Sequence, residues 1–271
     1  MNYKNTPYGP LIYPENDTCV GEHITRDIYV EGEQIEFLKS LVKPGDVFMD
    51  IGAGIGLTTL EMSRSVGKEG YVLSMEAQAS LFYTLCGNLA LNNITHVQAF
   101  NRAACDRTGS IFYFSHLDFS QRGDLFNVKL AGLVNSKNSD GSLCDNPITG
   151  IALDDLGIKS PNVIKIDVNG MEAVVLNGLR ATIQRAKPVL YVQFTENIKY
   201  LIDYLKDSEY DWVLHEPVKT EDTVWPFALC WHKDQKPEFN NERVVDLDQS
   251  DDPRHIKIRE LINGTGEFTV A

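Results

Sequence analysis

The middle of this sequence alternates strictly between short apolar runs and amphipathic stretches, and few folds accept that pattern. Val47, Phe48, Met49 and Asp50 form a short apolar run that closes in an acid and a glycine-rich turn. Residues 57–66 carry helical spacing. Residues 70–76 read as a second strand, again closing in an acid, and residues 80–92 as a helix with Leu81, Leu85 and Leu89 on one face. Residues 97–101 make a third strand. Strand, helix, strand, helix, strand at this spacing requires right-handed crossovers and a parallel sheet.

The pattern continues on both sides. Ile35, Leu38 and Leu41 with Val42 recur at helical intervals before Lys43-Pro44-Gly45-Asp46 stops that helix. Residues 111–114 add a peripheral strand. Regular alternation resumes with a strand at 163–167, a helix at 171–185 and a strand at 188–194. Residues 211–215 and 227–231 supply a closing antiparallel hairpin. The expectation is a Rossmann-like α/β fold, with a mostly parallel central sheet flanked by helices. Residues 1–32 read as an N-terminal extension, 33–232 as the domain, 115–150 as an irregular insertion shaping a substrate lid, and 233–271 as a polar tail.

Composition narrows the partners. Twenty-five basic against 38 acidic residues leave a net charge of −13, and no long Lys/Arg run offsets it. Such a field disfavours nucleic acid and anionic membrane. The five cysteines are scattered and odd in number, which argues against a zinc site or a disulfide framework. The N-terminus lacks a signal-peptide pattern, and no segment approaches the ~20 apolar residues that span a bilayer. A cytoplasmic setting is expected.

The loop from Asp50 to Gly56 carries the chemistry. It follows a strand and opens a helix, and its glycines let backbone approach a ligand closely. The spacing G-x-G-x-G, with Leu57 where a third dinucleotide glycine belongs, argues against pyrophosphate binding by a nicotinamide enzyme. Asp50 before the first glycine suits the cationic amino group of S-adenosylmethionine. Glu76 lies about 20 residues beyond the loop, where an acid commonly takes a ribose diol. Ala77 follows it, and Arg102 and Ala103 end the third strand near an expected adenine, so Asp50, Gly52, Ala53, Gly54, Gly56, Glu76, Ala77, Arg102 and Ala103 form the predicted cofactor set.

A second motif runs from Lys165 to Glu172. Lys165 and Asp167 share one strand face, and Asp167, Asn169 and Glu172 are expected beside the transferred group. Asp167 is the first choice to orient or deprotonate an acceptor hydroxyl, with His116 second and His215 also within reach of that edge. Asp154, Asp155 and Asp167 are the acids available to a magnesium ion, but the first two read better as caps, and no metal is predicted. Trp212, Trp225 and Trp231 read as core.

These motifs together resemble the FkbM family of S-adenosylmethionine-dependent methyltransferases. The resemblance covers residues 45–194 through the glycine loop, Glu76, Asn88 with Asn92, residues 152–156, residues 165–172, and Leu176-Asn177-Gly178. It implies a class I methyltransferase fold, S-adenosylmethionine as cofactor, and O-methylation of a sugar, glycan or other natural-product hydroxyl. Three positions depart from the family pattern. Asn169 stands for a Glu, Ala77 for a Pro and Gln193 for an acid, so the alternative of cofactor binding without turnover stays open.

Overall fold

The computed structural model describes residues 1–28, 32–114, 119–126, 146–193, 198–216, 226–239 and 243–263. In chain order the elements are β1 (Asn2–Thr6), β2 (Gly9–Tyr13), α1 (Val20–Thr25), α2 (Gly32–Leu41), β3 (Val47–Ile51), α3 (Leu57–Val66), β4 (Tyr71–Met75), α4 (Ala79–Leu91), β5 (Val97–Phe100), β6 (Ala103–Ala104) and β7 (Ile111–Phe114). They continue with β8 (Asn146–Ile151), a 3-10 turn at Leu153–Leu156, β9 (Val163–Ile166), α5 (Glu172–Gly178), α6 (Arg180–Ala186), β10 (Val189–Gln193), α7 (Ile198–Asp207), β11 (Tyr210–His215), β12 (Phe227–His232), β13 (Val244–Val245) and α8 (Pro253–Asn263).

The central sheet has the order β13-β11-β12-β10-β9-β3-β4-β5. Strands β5, β4, β3, β9 and β10 pair in parallel. Strand β12 is antiparallel to both β10 and β11. This is the Rossmann-like methyltransferase sheet expected from the sequence, with β11 and β12 as its closing antiparallel pair. Chain order runs one way from β3 through β4 to β5 and the other way from β9 to β10. The switch point therefore lies at the carboxyl ends of β3 and β9, where sheets of this kind bind ligands.

Strands buried on both faces give the near-continuous apolar runs seen in the sequence. Phe48, Met49, Ile51, Val72, Leu73, Ile164, Ile166, Leu190 and Val192 are all almost fully buried. They divide between two apolar layers. One lies with α2, α3 and α4, the other with α5, α6 and α7. Among the described residues no helix is long and apolar enough to cross a membrane.

Four local outcomes differ from the sequence reading. The helix expected over 171–185 breaks at Leu179 into α5 and α6, because Gly178 presses against the 105 backbone so closely that a Cβ there would lie 1.9 Å from the Cys105 carbonyl oxygen. Helix α7 was not anticipated. Residues 2–13 form a hairpin on α4, held by Asn88, whose side chain accepts from Ile12 N at 2.6 Å and donates to the Ile12 and Ile55 carbonyls. The stretch after 232 is partly structured, since β13 extends the sheet and Ile258, Leu261 and Ile262 of α8 pack on the second apolar layer.

The β3–α3 turn is the tightest point of the sheet edge. Gly52 has φ +86°, and a Cβ there would fall 1.8 Å from the Asp167 carbonyl oxygen. Neither the dihedral nor the space suits a side chain. We expect Gly52→Ala to cost about 2–4 kcal/mol in urea unfolding, on the scale of strain at a special backbone position. Gly87→Ala, within α4 and opposed only by the flexible end of Ile12, should be neutral or stabilising by up to about 1 kcal/mol. Equal effects in the two variants would contradict this account.

Candidate active site

The glycine loop is tied to its neighbours through its own amides. Gly52 N and Ala53 N both donate to the Met75 carbonyl, at 2.9 and 3.0 Å, and Gly56 N donates to Ala53 O at 2.9 Å. Gly54 N donates to Glu76 Oε2 at 2.8 Å, and Gln78 N donates to Glu76 Oε1 at 2.7 Å. Glu76 thus sits under the loop with one backbone bond to each oxygen. Burial pushes its carboxyl up to about 7, against the pull of those two amides.

Behind the loop lies a chain of buried charge. Lys165 is 4% exposed and donates to Asp50 Oδ1 at 3.5 Å and to the Gly52 carbonyl at 3.3 Å, while Asp167 Oδ2 lies 3.3 Å from its ammonium. Asp50 is fully enclosed, and its other oxygen accepts from Thr59 Oγ1 at 2.7 Å. Burial raises the Asp50 carboxyl, with Lys165 and Thr59 opposing. Asp50, expected to meet the cofactor's amino group, has both carboxylate oxygens on protein partners. The carboxylate is spent on Lys165 and Thr59, so Asp50 anchors the strand below the loop.

The second motif divides in the same way. Asp167 keeps a partly exposed side chain, 26% by area, at the switch point. Glu172, expected near the acceptor, faces its own turn. It is 3% exposed, and its Oε1 accepts from Val168 N and Gly170 N, so it closes its own turn at the start of α5. Asn169 adopts φ +53°, a left-handed conformation that Asn tolerates better than Glu. Its side-chain amide donates to the Phe126 carbonyl at 2.9 Å.

That contact belongs to a roof over the loop. The Phe126 ring would lie 3.2 Å from a Cβ at Gly54, and Gln78 Nε2 donates to the Leu125 carbonyl at 3.1 Å. Asp17 Oδ2 accepts from Leu125 N at 2.8 Å, and Asn16 donates to Phe119 O and Ser120 O. Residues 119–126 are thus pinned between the N-terminal segment, Gln78 and Asn169. Sequence reading missed Asp17, Gln78 and Phe126, because contacts across more than 40 positions leave no local spacing to read.

Other expected residues fall elsewhere. Arg102 is exposed and donates to the Asn101 carbonyl. Ala103 is 1% exposed, since β6 pairs with β8 and turns it into a cluster with Phe114 and Ile148, against which Ala77 packs. Asn101 fixes this edge, donating to the Glu76 and Ala77 carbonyls. His116 and Trp225 lie outside the described residues. His215 is 2% exposed, stacked on Phe37 and bonded to Tyr191 Oη at 2.7 Å. Burial and nearby Arg243 bring it down to about 4. Asp154 caps α6 through Ala181 N and Thr182 N, and Asp155 accepts from Thr108. Among the described residues no group of three or more His, Cys, Asp or Glu is arranged to hold a metal ion.

An orphaned atom tests the fit of a nucleoside cofactor. Gln78 is 7% exposed, and its buried Oε1 has no hydrogen-bond partner among the described residues. An unpaired buried acceptor costs about 1–3 kcal/mol unless a ligand supplies a donor. It lies two residues from Glu76, below the Phe126 roof. A ribose hydroxyl or an adenine amino group provides such a donor, so the residues present fit the group.

Residues 50–214 match the family model described as the methyltransferase FkbM domain. Among solved structures, the chain is similar to a methyltransferase FkbM from Methylobacillus flagellatus KT, with 18% identity, 73% of this chain and 50% of that chain covered, and a TM-score of 0.46. This chain thus spans half the length of that protein. It is also similar to an rRNA methylase from Streptococcus thermophilus, with 11% identity, 76% and 96% covered and a TM-score of 0.48. Fibrillarin of Aeropyrum pernix, with natively bound S-adenosyl-L-methionine, gives 14% identity, 73% of each chain and a TM-score of 0.47. No curated protein matches the sequence. The family match takes in more than half of the chain, and the protein belongs to the FkbM family of S-adenosylmethionine-dependent methyltransferases.

Proposed function

We propose that the protein O-methylates a hydroxyl of a sugar, glycan or other small natural product, with Asp167 as the group that orients the hydroxyl or takes its proton. The observation that carries this reading is the contrast among three acids at the switch point. Asp50 and Glu172 are enclosed and committed to protein partners, whereas Asp167 remains partly exposed. Bound S-adenosylmethionine supplies a methyl group already activated by a sulfonium. Positioning and exclusion of water therefore remain the main tasks of the protein.

In this reading the backbone from Gly52 to Gly56 holds the methionine end, Glu76 and Gln78 take the nucleoside, and the 119–126 segment roofs it. Lys165, 3.3 Å from Asp167 Oδ2, holds the Asp167 side chain in place. The net charge of −13 supports a small or neutral acceptor over a polyanion. The second reading, binding without turnover, is favoured by one observation. Asn169 and Gln193 carry amides where the family resemblance leads one to expect acids.

Two experiments test these roles. Asp167→Asn should lower transfer of labelled methyl by about 10²–10⁴-fold, the usual worth of a positioned acid or base. S-adenosylhomocysteine affinity should stay within about threefold by calorimetry. Unchanged transfer would remove Asp167 from the mechanism. Glu76 gives a pH signature. Its carboxyl titrates near 7 in the free protein because burial disfavours the charge, and ribose hydroxyls donating to it favour the carboxylate. Binding then releases a proton, so S-adenosylhomocysteine affinity should rise with pH through about 7 and level off by about 8. Glu76→Gln should abolish that slope. A slope that survives in the variant would assign the proton to another group.

A further inference from the structure

Two more glutamines, Gln34 buried and Gln193 half-buried, are each left with a buried, unpartnered atom, and they lie on the acceptor side of the sheet edge. Gln34 is 6% exposed, with Nε2 buried and lacking a partner among the described residues, and Gln193 has its Oε1 in the same condition. Their placement follows from the aromatic layer beneath them. Gln193 ends β10 two residues after Tyr191, on the same strand face. Gln34 precedes Phe37 by one turn on the same face of α2. The rings of Phe37 and Tyr191 lie 5.7 Å apart, which brings those two faces together.

Both glutamines stand beyond the rings toward the carboxyl edge. On β10 this is the strand direction. On α2 the last turn leads down to the start of β3, so Gln34 is at the upper end. Its neighbour Glu33 pairs with Arg243 at 3.0 Å, and the Arg243 carbonyl accepts from Glu216 N just past the end of β11. Strand register carries the same face across to the switch point. Tyr191 pairs with Lys165 and Val192 with Ile166, so Gln193 continues in register beside Asp167.

We propose that Gln34 and Gln193 are the specificity pair of the acceptor site, reading a second, uncharged hydroxyl of the molecule whose hydroxyl meets Asp167. This rests on the O-methyltransferase reading. Gln34 presents an unused donor and Gln193 an unused acceptor. A hydroxyl is the common group that both accepts and donates one bond. A carboxylate or phosphate would satisfy Gln34 but oppose both the Gln193 carbonyl and Asp167. An ammonium would satisfy Gln193 and leave the Gln34 amide unpaired. The rings below are already stacked on one another, Tyr191 on Phe227 and Phe37 on His215, so they make a rigid floor. Preorganised polar groups on such a floor discriminate strongly against ligands that leave them unpaired.

The test uses the full chain saturated with S-adenosylhomocysteine and three probes: methyl β-D-glucopyranoside, its uronate and its 2-amino-2-deoxy counterpart. Ligand-observed NMR gives their affinities. The neutral glycoside should bind best, and Gln34→Met and Gln193→Met should each weaken it about tenfold, the worth of one buried hydrogen bond. A second readout needs no ligand. Removing an unpaired buried polar atom should leave the thermal midpoint of each variant equal to or above that of the wild type. A fall of several degrees in either variant would overturn the proposal by showing a structural bond. Binding unchanged in both variants, preference for a charged probe, or no binding of the neutral glycoside would overturn it too. With S-adenosylmethionine in place of S-adenosylhomocysteine, failure of the wild type to methylate any hydroxylated probe would instead sink the O-methyl reading, and the thermal midpoints would still decide the role of the pair.

Discussion

Lys165 holds the carboxyl edge of this sheet together. One ammonium lies within 3.5 Å of Asp50, Asp167 and the Gly52 carbonyl, which belong to two adjacent strands and the loop between sheet and helix. In a low-dielectric interior an unpaired charge is costly, so these groups require each other. The register of β3 against β9, with Asp50 opposite Lys165, makes the contact possible, and the contact in turn locks that register. Gly52 is the consequence. With β9 held this close, only a residue without a side chain fits beside the Asp167 backbone.

From that constraint the site divides its acids by exposure. Of the enclosed ones, Asp50 is held by the Lys165 and Thr59 side chains and Glu172 fixes backbone, while Glu76 supports the loop from below with a carboxyl poised near neutrality. Asp167 alone among these four is held by a cation on one side and partly open on the other. The roof from Phe119 to Phe126 is assembled from distant parts of the chain, joining Asn16 and Asp17 to Gln78 and Asn169. The N-terminal segment therefore contributes directly to the enclosure of the loop.

The sheet was legible because its signals are local. Period-two and period-3.6 patterns, acids closing β3 and β4 and the glycine spacing all occur within short windows, and from them follow a mostly parallel sheet and the position of the loop. Asp50 and Glu172 have protein partners that the sequence did not show. Spacing says where a carboxylate lies along an element and not whether a lysine from the next strand or a backbone amide has already claimed it. The surroundings of Ala103 and His215 were not readable for a similar reason, since their enclosure depends on β8 and on Phe37. Helix α7, with Ile198, Leu201, Ile202 and Leu205 buried on one face, was present as a periodic signal and went unread. The amide at Asn169 looked like a lost acid. In the structure it suits a left-handed turn and latches the roof.

The account stands on Asp50 and Lys165 acting as one structural unit beneath the loop. A double-mutant cycle of Asp50→Asn and Lys165→Met, followed by urea unfolding, measures this directly. The account predicts that Lys165→Met alone costs about 3–5 kcal/mol, as for a broken buried pair, and that adding Asp50→Asn recovers much of the loss. Additive losses, with coupling under about 0.5 kcal/mol, would show the two residues to be independent and would return Asp50 to the cofactor.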